Sequence, residues 1–162
     1  MTAIGDEVAA VPAVTIEGHW DFDYTYFAGA AASRFFAELR NGRIMGSRCP
    51  SCERVLVPAR KFCDACFVDT AEWREVALEG TLETFTILTS SIPGSPEPPY
   101  VVGYVKLDGA STALLNYVEG VELDDLDEAG AALLPRPRVR VAFDEAPQGR
   151  ITDFRFVLDA AR

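Results

Sequence analysis

A chain of 162 residues suits one ordinary domain, or a small metal-stapled module joined to a modest barrel, and excludes a large multidomain enzyme. Hydrophobic residues at 49% and charged residues at 25% predict a packed core, not a disordered polymer. A net charge of −10 argues against indiscriminate binding to nucleic acid or anionic membranes, which needs a basic surface. No apolar stretch approaches the roughly 20 residues that span a bilayer, and the N-terminal residues lack the charged flank and apolar run of a secretion signal, so the expected location is cytoplasmic.

Residues 1–23 hold Asp6, Glu7, Glu17, Asp21 and Asp23 with no Lys or Arg, and read as an extended acidic arm. The arm runs into an aromatic cluster in which Trp20, Phe22, Tyr24 and Phe27 are candidate docking anchors, on this chain's own core or on a partner. The plainer reading is a mobile terminus. Tyr24, Phe27, Ala28, Ala31, Phe35 and Leu39 recur at three- and four-residue steps, which predicts an amphipathic helix over 24–42 closed by Asn41 and Gly42.

A cysteine segment over 43–75 follows. Cys49 and Cys52 form one Cys-x-x-Cys knuckle, and after ten intervening residues Cys63 and Cys66 form a second. Each knuckle presents two thiolates from a tight turn, and two such turns satisfy tetrahedral Zn²⁺ with Zn–S bonds of about 2.3 Å. The gap between the pairs is shorter than the commonest ribbon spacings but admits a hairpin through Val55, Leu56 and Val57. Two disulfides would suit a secreted protein, a redox role would suit a lone pair, and iron fits the same S₄ cage. Zinc is the preferred reading, and four thiolates leave no open coordination position, so the metal is expected to be structural.

Beyond the cysteines, turns punctuate alternating segments. Residues 81–88, 100–107 and 112–118 read as three strands, 124–134 as a short helix ended by Pro135 and Pro137, and two more strands carry Val139, Val141 and Phe143, then Phe154, Phe156 and Leu158. Three strands, a helix and two strands is the order of a five-stranded Greek-key OB barrel, here over 76–162. The fold class is therefore mainly β with an N-terminal helix. The Pro-rich stretch over 92–99 joins the first two barrel strands, either as a stiff connection or as part of a ligand site.

No catalytic set is evident. The one histidine, His19, lies in the acidic arm without a nucleophile motif beside it, and no Gly-rich phosphate loop is present. Asp124, Asp125, Asp127 and Glu128 read as the solvated face of a short helix. Residues 34–61 are the basic region, with Arg34, Arg40, Arg43, Arg48, Arg54, Arg60 and Lys61 against Glu38 and Glu53. These cations either balance the thiolate centre or bind an anionic cofactor or acidic partner.

Several motifs in order carry a resemblance: the aromatic helix ending in Asn41-Gly42, Arg48-Cys49-Pro50-Ser51-Cys52, Val57-Pro58-Ala59-Arg60, Cys63-Asp64-Ala65-Cys66, Trp73, Gly80-Thr81-Leu82, Phe85-Thr86 and Pro99-Tyr100. Residues 24–158 thereby resemble the zinc-ribbon and OB-fold proteins associated with acyl-CoA metabolism, long catalogued as a domain of unknown function. The resemblance implies a rubredoxin-like ribbon followed by the barrel, in a small non-catalytic partner of a thiolase-fold enzyme within a hetero-oligomer. It implies structural zinc on Cys49, Cys52, Cys63 and Cys66, and acyl-CoA held jointly with the partner. Arg34, Arg40, Arg48, Arg60 and Lys61 are the candidate contacts to CoA or the partner. Two alternatives are a free-standing acyl-CoA-binding protein and, against the net charge, a nucleic-acid-binding ribbon and OB module.

Overall fold

The computed structural model describes residues 24–159, so the acidic arm over 1–23, with Trp20 and Phe22, lies outside the described residues. The first element is α1 (Gly29–Leu39), which buries Phe35 and Leu39. Gly29 adopts φ +75°, a left-handed conformation open to glycine without a Cβ penalty. The helix begins there and not at residue 24, so Tyr24 and Phe27, which periodicity placed on its face, precede it and are 73% and 95% exposed. At the other end Gly42 is left-handed, its N–H donates to the Leu39 carbonyl at 3.0 Å, and the Arg43 N–H reaches the Glu38 carbonyl at 3.2 Å. Asn41 and Gly42 thus mark the helix stop.

A three-stranded sheet forms the ribbon. β1 (Met45–Arg48) lies between β2 (Val55–Leu56) and β3 (Glu72–Glu75) and is antiparallel to both. Five further strands close a barrel: β4 (Glu79–Leu88), β5 (Tyr100–Leu107), β6 (Leu114–Glu119), β7 (Arg138–Phe143) and β8 (Phe154–Leu158). Their spatial order is β4-β5-β6-β8-β7 with β7 returning to β4, and every pair is antiparallel except β6 with β8. The crossover from β6 to β7 carries α2 (Leu126–Leu133), capped by Asp125, whose carboxylate accepts from the Asp127 and Glu128 N–H groups at 2.9 and 3.1 Å. This is the five-stranded OB arrangement read from the alternation of the sequence.

Alternation closes the barrel by sending one side of each strand inward. Val101, Val105 and Leu107 of β5 are buried while Tyr104 and Lys106 face out. Gly103 sits on the inward row, where a Cβ would stand 2.5 Å from Leu82 Cδ1 and 2.9 Å from Val118 Cγ2, so a larger residue there would require these side chains to shift. A bulge between Leu82 and Thr84 bends β4, which pairs with β7 at its start and with β5 along its length.

One core runs through both parts: Phe35, Leu39, Ile44, Val57, Ala59 and Val76 belong to the same cluster as Val105, Val139, Phe154 and Phe156. Polar bonds reinforce the joint. Thr112 Oγ1 accepts from the Val57 N–H and donates to the Val57 carbonyl, both at 2.7 Å, while the Ser111 N–H donates to the Val55 carbonyl at 2.8 Å. Ser111 and Thr112 are engaged by the ribbon, and the third barrel strand accordingly starts at Leu114 and not at residue 112. Among the described residues no helix is long and apolar enough to cross a membrane.

Candidate functional site

Each cysteine pair sits on a turn of the same construction. The Cys49 N–H donates to the Arg54 carbonyl at 2.9 Å and the Glu53 N–H returns to the Cys49 carbonyl at 3.0 Å. In the second turn the Cys63 N–H donates to the Val68 carbonyl and the Phe67 N–H to the Cys63 carbonyl, both at 2.9 Å. The closing residues Glu53 and Phe67 are left-handed, at φ 64° and 56°. These turns bring Cys49, Cys52, Cys63 and Cys66 together with all four Sγ atoms within 4.8 Å of one another. Cys52 and Cys63 Sγ are 3.7 Å apart, close to the edge of about 3.8 Å that four Zn–S bonds of about 2.3 Å give a tetrahedron.

The donor set fits a dication. The Cys52 N–H, then burial opposing it and the Ser51 N–H assisting, leave the Cys49 thiol at about 7. The Arg54 N–H favours the Cys52 thiolate, yet the Cys66 thiol, burial and the Cys49 and Cys63 thiols carry its pKa up to about 12. Four sulfurs this close cannot all lose their protons unaided, and a shared metal ion supplies the missing positive charge. The cluster would hold such an ion with four protein ligands and no position left for substrate, which makes it a staple for the ribbon.

The basic side chains sort into two groups. Arg40 Nε donates to the Gln148 carbonyl at 2.7 Å and clamps α1 to the barrel. Arg48 pairs with Glu53 and with Glu72, at 2.5 and 3.3 Å, on the ribbon surface. Both are engaged by groups within the fold. Arg34, Arg60 and Lys61, by contrast, line one cleft of about 360 Å³ between α1 and the ribbon, together with Ser47, Thr70 and Trp73. The Arg34 guanidinium carbon lies 4.4 Å from the centre of the Trp73 ring, a cation held over an aromatic face. Arg60 also approaches Asp64, at 3.3 Å.

Exposed aromatics lie close in the chain to the residues that line this cleft. Tyr24 and Phe27 precede the helical residues Ala30 and Ala31 that line it, and the Tyr24 ring lies beside that of Tyr26, with ring centres 6.3 Å apart and planes tilted by 34°. On the ribbon side Phe62, adjacent to Lys61 and bridged to Asp69, is 52% exposed, and Phe67 is 82% exposed. Sequence reading did not single out Phe62 or Phe67. The available signal was their place beside the ligands Cys63 and Cys66: when the thiolates of a knuckle turn inward, its flanking side chains turn out. Nor did it assign Trp73 its part as the platform for Arg34.

Residues 36–72 match the model of the ChsH2 rubredoxin-like zinc ribbon domain, and residues 73–144 match that of the ChsH2 C-terminal OB-fold domain. Among solved structures, a protein of unknown function from the DUF35 family of Sulfolobus solfataricus superposes with a TM-score of 0.58 at 24% identity, over 81% of this chain and 87% of that one. The Ltp2-ChsH2(DUF35) aldolase superposes with a TM-score of 0.62 at 21% identity, over 80% of this chain and 95% of the matched one. At these identities the likeness is one of fold. Comparison with the curated proteins gives no match. The two domain matches run without a break from the ribbon into the barrel, and the chain belongs to the ChsH2-type family of zinc-ribbon and OB-fold proteins.

Proposed function

We propose that the protein is a non-catalytic accessory subunit of a heteromeric, cytoplasmic thiolase-fold enzyme that acts on acyl-CoA, in thiolytic, retro-aldol or acyl-transfer carbon–carbon bond chemistry. In this reading the four-thiolate site holds structural Zn²⁺. The ribbon side docks on the catalytic subunit through Tyr24, Phe27, Phe62 and Phe67, while Arg34, Arg60 and Lys61 help hold the CoA end of the substrate.

The observation that carries the reading is the exposure of Phe27, Phe62 and Phe67, each close in the chain to residues lining the cleft that holds Arg34, Arg60 and Lys61, on a chain built of the two ChsH2-type domains. Large aromatic side chains left in water favour burial against another surface, and they are frequent anchors of protein interfaces. The matched aldolase, by its description, joins a ChsH2 (DUF35) component to Ltp2, which supports an enzyme-bound role for a chain of this architecture. Co-expression with a thiolase-fold subunit from the same source, followed by native mass measurement, tests it. The expected result is a hetero-oligomer whose aldol-cleaving or thiolytic activity requires both chains. A partner that is equally soluble and active alone, with no change of mass on mixing, overturns the reading.

A second reading, a free-standing acyl-CoA-binding protein, draws on the same cleft. Calorimetry of acyl-CoA on the isolated chain separates the two: tight binding without a partner favours the carrier, and binding that needs the partner favours the subunit.

A further inference from the structure

Most cations near the ribbon are taken up by the fold. Arg43 pairs with Glu38 and Glu75, Arg48 with Glu53 and Glu72, and Arg54 with Asp64. Among the described residues neither Arg34 nor Lys61 makes an ion pair within 4 Å, although Arg34 adds to the positive field, set mainly by Arg43, that lowers the Glu38 carboxyl pKa; both line the cleft between α1 and the ribbon. Arg34 is nevertheless held in place by the Trp73 ring beneath it. A guanidinium fixed by an aromatic face is positioned without using its N–H donors, which stay available for an anion.

The opposite wall is prepared in a similar way. Ser47 Oγ donates to the Arg60 carbonyl at 2.8 Å and accepts the Arg60 N–H at 2.9 Å, and Thr70 Oγ1 donates to the same carbonyl at 2.7 Å. Ser47 is only 3% exposed, so this clamp is part of the packed interior. It pins the main chain at Arg60 and Lys61 while leaving the Lys61 ammonium unengaged. Two carboxylates, Asp69 and Glu72, also line the cleft, but Glu72 is already bound by Arg48 and by Arg74, the latter at 2.8 Å. A volume of about 360 Å³ exceeds the needs of one phosphate and suits a phosphorylated nucleoside.

We infer that this cleft is a phosphate-binding site, with Arg34 and Lys61 as its principal donors and Trp73 as the residue that positions Arg34, and that the phosphates it takes are those at the nucleotide end of acyl-CoA. The last clause rests on the function proposed above; the phosphate chemistry does not.

The test uses the full metal-loaded chain in isothermal calorimetry with two fragments: adenosine 3′,5′-bisphosphate, which carries the nucleotide end alone, and pantetheine, which carries the thiol arm alone. The bisphosphate is expected to bind with an affinity that falls as salt rises, and pantetheine not to bind. Arg34→Gln and Lys61→Gln should each weaken the bisphosphate by about tenfold or more, since each removes charge-assisted hydrogen bonds. Arg34→Lys keeps the charge but loses the planar fork, and should cost about threefold. Arg140→Gln, on the barrel strand β7, is the control expected to bind as the unaltered chain does, and circular dichroism verifies that each variant is folded.

Absence of bisphosphate binding at millimolar concentration overturns the inference, as does unchanged affinity in both Arg34→Gln and Lys61→Gln. So does a result in which these variants weaken assembly with a thiolase-fold partner but leave nucleotide affinity intact, for then the cleft receives acidic protein groups. If the bisphosphate binds as expected while no partner and no acyl-CoA does, the phosphate site stands and the proposed function falls.

Discussion

Barrel and ribbon bury their interiors by different means. In the barrel, Leu82, Val105, Leu107, Val139, Phe154 and Phe156 are each no more than 1% exposed, and five paired strands satisfy the main chain around them. The ribbon's own cluster is Cys49, Leu56 and Cys63 with Cys66 against it, on a sheet whose β2 has two residues. A side chain such as Leu or Phe contributes about 1.5–3 kcal/mol on full burial, so the barrel accumulates stability that the ribbon cannot. The difference teaches that metal coordination stands in for a core where the chain has too few apolar residues to make one.

The largest effect should come from removing the metal. Structural zinc sites contribute about 10–16 kcal/mol of apparent binding free energy at neutral pH. Chelation, or Cys63→Ser, should therefore erase the dispersed amide signals of residues 45–75 in an ¹H–¹⁵N spectrum while the signals of β4 to β8 persist. Simultaneous loss of both sets would break the comparison, and would show that Ile44, Val57 and Val76, which sit in the shared core, make ribbon and barrel one cooperative unit. The converse change acts on the barrel: Phe156→Ala should cost about 3–5 kcal/mol in denaturant titrations, while metal analysis still finds one ion per chain.

A smaller change probes the joint. Thr112→Val keeps the shape and removes the hydroxyl that serves both the N–H and the carbonyl of Val57. The expected loss is about 1–3 kcal/mol, because the buried backbone groups are left without a partner. Hydrogen exchange should quicken at the Val57 amide and not at the β5 and β6 amides. Equal quickening in all of them would mean that the joint stabilises the barrel as much as the ribbon.

What could be read in advance follows the same division. The metal cluster was legible because two Cys-x-x-Cys pairs specify their own geometry within a few residues. The barrel order was legible because inward and outward positions alternate along Val139, Val141 and Phe143, and again along Phe154 and Phe156. The start of α1 was not: a three-four periodicity runs through Tyr24 and Phe27, and only the left-handed Gly29 shows where the helix begins. Nor could the seven cations from Arg34 to Lys61 be sorted, because what engages Arg40 is a carbonyl 108 residues away, at Gln148. Likewise Thr112 looks like the start of a strand until its partner on the ribbon is known.

The smallest predicted effect concerns the tip of the ribbon, where its two knuckles can be compared with each other. Glu53 and Phe67 occupy the same left-handed position, which costs a non-glycine residue about 1–2 kcal/mol. Glu53 recovers part of this through its bond to Arg48 at 2.5 Å. Phe67 makes no ring contact with a described residue and lies 82% exposed, so its side chain returns little to the free fold. Phe67→Gly should then raise the stability of the metal-loaded chain by up to about 1 kcal/mol, the relief of strain less the added flexibility of glycine in the unfolded chain. Glu53→Gly should gain less, because it also loses the ion pair. If the Phe67 ring is a docking anchor, the same Phe67→Gly chain that resists urea better should bind a thiolase-fold partner more weakly. A Phe67→Gly variant that assembles as well as the unaltered chain would remove this side chain from the interface and leave its strained position without a functional reason.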